Sequence, residues 1–274
     1  MATTVRKRDR APGSTPVGEK HYHGSYAIYG RSGTGKTTLS GSYPKPILYL
    51  NILDNGTDSI ADVEDVDVVD IETGEQLKDL ILWAHSKANK GKLKYKTIVL
   101  DTMSQLQSIL TDEMGVNKKL QKSGKKAGDF GTLTKQDWGL IAGELKSVIM
   151  DIRNLPVESV FIAQERVFNL PDDEDDGLSQ LDPEVGPKLM PSVKNDLNAS
   201  VSVIVNTFIR VRVTKTRNKK TKMKKTQIEK IYCLRVGPNE VYTTKIRKPK
   251  GIEAPDYIED PTFRKLKKLM KGNE

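Results

Sequence analysis

The sequence predicts an α/β fold: a mostly parallel sheet covered by helices on both faces, with an antiparallel extension toward the C-terminus. Three observations carry that prediction. Short apolar strands alternate with amphipathic helical stretches over the first two thirds of the chain, and parallel strands need such crossover connections. A glycine-rich loop, "GRSGTGKTT", joins the first strand to the first helix. The last third alternates with period two on either side of a lysine-rich tip, which is the pattern of an antiparallel hairpin.

Taken in order, residues 1–24 mix Arg, Lys, Pro, Gly and Ser without apolar periodicity and read as a flexible basic tail. The core is expected over residues 25–250. "SYAIYG" is a short buried strand, and "GKTTLSGSY" opens a helix that stops before Pro44. "PILYLNI" and "VDVVDI" are the second and third strands, separated by the turn chemistry of Asp54, Asn55 and Gly56. Thr73, with Gln76 three residues on, is a capping-box start for a helix whose Leu77, Leu80, Ile81 and Ala84 share one face. "YKTIVLD" is a strand that ends on Asp101 and runs into another helix. Residues 117–132 are rich in Lys and Gly and suit a surface loop. Beyond them Trp138, Ile141, Leu145, Val148, Ile149 and Ile152 recur at helical spacing and predict a long helix with a core-facing stripe. "VESVFIAQ" is a strand ending on Gln164, and Glu165 to Asn195, with four prolines and the cluster "DDEDD", predicts a second long loop. Residues 201–236 form the basic hairpin, and "EVYTTKI" supplies a candidate third strand. Residues 251–274 read as a C-terminal tail in which Phe263, Leu266, Leu269 and Met270 line one face of a short docking helix.

Composition narrows the function classes. At 274 residues, 36% hydrophobic and 30% charged, the chain is long enough for a full core and globular in balance. No apolar run approaches the roughly 18 residues that span a bilayer, and the basic N-terminus has no apolar segment behind it, so a cytoplasmic protein is expected. Cys233 is the single cysteine, which leaves no intrachain disulfide or multi-cysteine metal site. His21, His23 and His85 show no metal-ligand spacing. The net charge of +9 is concentrated between Arg210 and Lys230, where ten basic residues are opposed only by Glu229. Such a density suits a polyanion such as nucleic acid. It equally suits a solvated hairpin tip that keeps an edge strand soluble.

The glycine loop carries the most specific chemistry. Glycines let successive backbone N–H groups curl around phosphate oxygens, with the positive end of a following helix aimed at the same place. Gly30, Arg31, Ser32, Gly33, Thr34, Gly35, Lys36, Thr37 and Thr38 are therefore the expected phosphate-binding residues. Lys36 neutralises the β and γ phosphates, and Thr37 places its hydroxyl on magnesium. Asp101, at the end of "TIVLD", is the expected second magnesium-organising carboxylate, with a helix N-cap as the bland alternative. Asp54 is the candidate base for an attacking water, or a simple turn residue. Gln164 could sense the γ phosphate or merely satisfy a strand end.

Together, "YGRSGTGKTT", "YKTIVLD", "QDWG" and "VFIAQER" resemble the RecA-like P-loop ATPases, and most closely the phage Sak-group single-strand annealing proteins. The resemblance covers roughly residues 25 to 250. It implies ATP and Mg2+ as cofactors, with Lys36 and Thr37 on phosphate and magnesium, Asp101 on the metal-bound water, and Gln164 coupling nucleotide state to the loop that follows. It also implies single-stranded DNA as ligand, a homo-oligomeric ring or filament with ATP at subunit interfaces, a single-strand-binding protein as a further partner, and a phage origin. Lys245 and Arg247 are then candidates to reach a neighbour's γ phosphate, by the logic of an arginine finger. The chain departs from the family in the "NILDNG" segment, where a D-x-E pattern is expected. The rival readings are a P-loop helicase loader or motor acting on a protein partner, and a DNA-annealing module with a largely structural nucleotide site.

Overall fold

The computed structural model describes residues 23–53, 56–121, 133–168, 183–217 and 224–271. Six strands form the parallel heart of the sheet: β1 (Ser25–Gly30), β2 (Ile47–Ile52), β3 (Val66–Ile71), β4 (Thr97–Asp101), β5 (Glu158–Phe168) and β7 (Val203–Arg217). Four antiparallel strands complete it: β6 (Glu184–Pro187), β8 (Lys224–Arg235), β9 (Lys245–Ile246) and β10 (Tyr257–Glu259). The order across the sheet is β10-β8-β7-β1-β5-β4-β2-β3, with β6 paired to β5 and β9 to β7. Strands β1, β2 and β4 are buried along their whole length. This is why they read as continuous apolar runs: a parallel strand covered on both faces has no solvent side on which to place polar residues.

Helices cover the two faces unequally. Helices α2 (Gly74–Asn89), α3 (Met103–Gln121), α4 (Lys135–Arg153) and α5 (Pro191–Ser200) bury Leu77, Leu106, Leu145 and Leu197 on the face that carries Tyr29, Leu50, Leu100 and Phe161. The other face carries Tyr26, Ile28, Tyr49 and Ile162, covered by the short α1 (Lys36–Ser40) through Leu39 and by α6 (Phe263–Lys271) through Leu266. Reciprocal capping boxes start two of the helices, Thr73 with Gln76 for α2 and Thr134 with Asp137 for α4. A cap of this kind is worth about 1 kcal/mol.

Several expectations need correction. Helix α3 runs on to Gln121, so residues 117–121 of the expected loop are helical, and residues 122–132 lie outside the described residues. Strand β5 does not end on Gln164, because Glu165 to Phe168 pair with β6. The supposed loop from Glu165 to Asn195 therefore contains β6 and the start of α5, where Pro191 occupies the first turn, the one helical place where its missing N–H costs nothing. Trp138 is 41% exposed, because the buried position in the first turn of α4 belongs to Asp137 of the capping box; the buried stripe starts at Ile141. Of "EVYTTKI" only Lys245–Ile246 pairs as a strand, while β10, which the sequence did not announce, joins β8 at the sheet edge. Strands β7 and β8 form the antiparallel hairpin, paired from Asn206↔Arg235 out to Arg217↔Lys224. Asp54, the acidic cluster 172–176 and the hairpin tip 218–223 lie outside the described residues. Among the described residues no helix is long and apolar enough to cross a membrane.

Candidate functional site

The chain leaves the sheet at the carboxyl end of β1, and the register there sets the site. Gly30 lies beside Gln164 of β5 on one side and Thr207 of β7 on the other. A side chain at Gly30 is excluded by that packing, since a Cβ would stand 2.5 Å from the Thr207 carbonyl oxygen. Gly33 and Gly35 adopt left-handed φ values of 75° and 86°, which only glycine takes without cost. Alternation of right- and left-handed residues is the backbone form that turns consecutive N–H groups toward a single anion. Thr34 fixes the loop from below, its hydroxyl donating to the Arg31 carbonyl at 2.7 Å and sharing a 2.7 Å hydrogen bond with the Thr207 hydroxyl. Lys36 Nζ donates to the carbonyls of Gly30 and Arg31 at 3.1 and 2.8 Å, which holds the ammonium over the loop. The exposed Arg31 turns away to Glu165 of β5, Nε to Oε1 at 2.8 Å, and Glu165 also accepts from Asn206 Nδ2 at 3.2 Å.

Thr37 and Asp101 are brought together, with the Thr37 hydroxyl donating to Asp101 Oδ2 at 3.0 Å. Asp101 is buried, and the phenol of Tyr49, a residue that no sequence pattern singles out, donates to the same carboxylate oxygen. Burial first, and the Asp101 carboxylate second, push the Tyr49 hydroxyl well above its ordinary pKa, so it stays a donor across the physiological range. Beside them in register lies Asn51 at the end of β2, whose Nδ2 donates to Asp70 Oδ1 at 2.6 Å.

Around these groups opens a cleft of about 640 Å³, within the roughly 300–1,000 Å³ range of small-molecule sites. Its walls include Ser32 to Leu39, Ser59 and Asp101, and also Tyr232 and the run Asp260, Pro261, Thr262. Sequence reasoning missed the last four. The only signal for them was an aromatic residue within the hairpin pattern and an Asp-Pro turn some 30 residues later. The donor set fits a magnesium nucleotide. Magnesium takes one or two protein oxygens and keeps water and phosphate oxygens for the rest, and Thr37 with Asp101 would supply the protein's share.

The remaining sequence candidates are placed as follows. Gln164 stands next to Gly30, and its backbone bridges two further elements: its N–H donates to Ser104 Oγ at 3.1 Å, and its carbonyl accepts from Lys188 N at 2.7 Å. Lys245 and Arg247 are not brought to this chain's glycine loop. Lys245 pairs with Ile204, three residues before Thr207 on β7, and its ammonium donates to the carbonyls of Asn198 and Ala199 at the last turn of α5, at 2.6 and 3.4 Å. Burial and the nearby Arg247 lower its pKa. Arg247 continues the same edge, its N–H bonded to the Ser202 carbonyl.

No curated protein matches this sequence. The AAA domain family matches residues 24–228, from the residue before β1 to the return strand of the hairpin, which is more than half of the chain. With the glycine loop between parallel strands, Lys36 over it and Thr37 on the Asp101 carboxylate, the chain belongs to the AAA domain family of P-loop ATPases.

Proposed function

We propose that this protein is an ATP- and magnesium-dependent single-stranded DNA-binding protein that promotes single-strand annealing and homologous recombination in phage DNA metabolism, working as a homo-oligomer in the cytoplasm of a bacterial host. The observation that carries the reading is the position of β1. It lies between β5, which leads into residues 169–182, and β7, which leads into the basic hairpin. The strands on either side of β1 are each joined to the glycine loop by a side-chain contact, Arg31 to Glu165 on one side and Thr34 to Thr207 on the other, which supports a coupling between the loop and the basic hairpin that β7 enters.

In this account Lys36 holds the β and γ phosphates, Thr37 and Asp101 hold the magnesium, and Tyr49 keeps the Asp101 carboxylate oriented. Bound ATP supplies a phosphoryl group for transfer to water. Gln164 passes the state of the loop to Ser104 and Lys188 through its backbone. The hairpin takes DNA phosphates with little sequence preference, and single-strand-binding protein is the expected partner on the same DNA. Because Lys245 is engaged at the end of α5, Arg247 is the better candidate to reach a neighbouring subunit's nucleotide.

A second reading, an annealing module whose nucleotide site turns over slowly, is favoured by one observation. The end of β2 carries Asn51, an amide tied to the Asp70 carboxylate of β3, where the D-x-E pattern would begin with a carboxylate. Annealing of complementary oligonucleotides by the wild type and Lys36→Ala, with and without ATP and magnesium, separates the two. The first reading expects ATP-dependent annealing that Lys36→Ala abolishes. Annealing that ignores both ATP and Lys36→Ala supports the second, and absence of any single-strand binding overturns both.

A further inference from the structure

We infer that Tyr232 and the segment Asp260–Pro261–Thr262 form the base- and sugar-binding half of the nucleotide cleft, supplied by the same chain that supplies the phosphate loop. The inference rests on the phosphate-site reading and adds to it the part of the cleft outside the family match, which ends at residue 228.

Tyr232 comes from β8, on the hairpin face it shares with Ile209. The residue is 44% exposed, and its ring Cδ1 would lie 3.3 Å from a Cβ placed on Gly35. A large aromatic surface therefore stands directly against the loop that holds Lys36, open to the same cleft. The adjoining wall is fixed to it. The Asp260 N–H donates to the Tyr232 carbonyl at 2.8 Å, and Glu259 pairs with Cys233 in the sheet. Asp260 takes a left-handed φ of 46°, and Lys265 Nζ holds the carbonyls of Glu259 and Asp260 at 2.9 and 2.8 Å. Beyond the turn, Phe263 N donates to Ser42 Oγ at 2.8 Å and its ring packs on Tyr43 at 4.6 Å between centroids, which anchors the wall to the segment after α1.

A flat ring next to a phosphate loop suits a purine, because stacking uses the π-face that every base has and large bases use it best. Asp260 supplies the carboxylate acceptor that sugar hydroxyls need, since an ionised carboxylate only accepts. Thr262 is committed elsewhere, its hydroxyl accepting from Lys265 N at 3.3 Å. The ligand class is thus a purine ribonucleoside triphosphate, gripped at both ends by one chain. Nucleotide binding then needs no neighbouring subunit, even where turnover does.

The test is calorimetric titration of the full chain with magnesium-ATP and, separately, with magnesium-tripolyphosphate, which has phosphates but no base or sugar. Tyr232→Ala is expected to weaken ATP about tenfold, as removal of one stacking ring implies, and to leave tripolyphosphate unchanged. Tyr232→Phe is expected to retain ATP affinity, which separates the ring from a folding defect. Asp260→Asn is expected to erase the preference for ATP over dATP. Equal losses for ATP and tripolyphosphate in Tyr232→Ala, or no loss for either, overturn the inference while leaving the phosphate site intact. If Lys36→Ala leaves tripolyphosphate binding unchanged, or the wild type binds neither ligand, the phosphate-site reading fails and the inference with it.

Discussion

Replacing the three glycines of the loop one at a time by alanine probes the geometry that the whole account uses. At Gly30 the new Cβ would stand 2.3 Å from the Thr207 hydroxyl oxygen and 2.5 Å from the Thr207 carbonyl oxygen. The hydroxyl can rotate, but the carbonyl belongs to the strand beside β1 and cannot. The strands must therefore separate until the contact is ordinary. Overpacking of this kind costs about 1–3 kcal/mol. Losing the hydrogen bond between Thr34 and Thr207 adds about 1 kcal/mol, for a total of about 2–4 kcal/mol. At Gly33 a Cβ meets nothing within 4 Å, so only the left-handed φ of 75° is penalised, about 1–2 kcal/mol. Gly35 carries the same backbone penalty plus the 3.3 Å approach to the Tyr232 ring, whose edge can give way, and so falls between the other two. Thermal unfolding reads the series, at about 2–4 °C per kcal/mol for a chain of this size. Gly30→Ala should lower the midpoint by about 4–16 °C and Gly33→Ala by no more than about 2–8 °C. A Gly30→Ala midpoint within about 2 °C of wild type, or below it by less than Gly33→Ala, would refute the packing of β7 against the loop.

Two further outcomes follow from particular side chains. Lys194 hydrogen-bonds Glu184 at 2.8 Å and holds its carboxyl below the ordinary value, so the folded state binds fewer protons there than the unfolded chain. The pair's contribution is complete above the unfolded value of about 4.3 and is lost as pH falls through the lower folded value; Glu184→Gln should remove that part of the acid sensitivity, and unchanged acid midpoints would contradict it. Charge reversal at Lys219, Lys220, Lys222, Lys224 and Lys225 should weaken single-strand affinity and flatten its salt dependence by about 0.7 for each phosphate no longer neutralised, whereas an unchanged slope excludes the hairpin from DNA binding.

What the sequence made legible was local. Thr73 with Gln76 announces α2, "SYAIYG" and "TIVLD" announce two strands of the parallel core, and the glycine pattern places Lys36 and Thr37. The site's other members depend on long-range pairings that no local pattern encodes. Strand β5 continues through Glu165 and Arg166 only because β6 offers it a partner, and polar residues there look like a loop when read alone. Tyr49 resembles any core aromatic until Asp101, 52 residues away, is seen to accept its hydrogen bond. Tyr232 and Asp260 become half of a cleft only when β8 and β10 are laid on the sheet edge. Lys245 looks available because its partners, the last carbonyls of α5, belong to a helix that the prolines around it conceal.

The central claim, that the state of the glycine loop and single-stranded DNA are coupled through β5 and β7, is tested most directly by ATP turnover in the presence of magnesium, with and without single-stranded DNA, using Lys36→Ala as the blank. The account predicts slow turnover by the protein alone, several-fold stimulation by DNA that fades as salt rises, and none in Lys36→Ala. Wild-type turnover that single-stranded DNA leaves unchanged would contradict it.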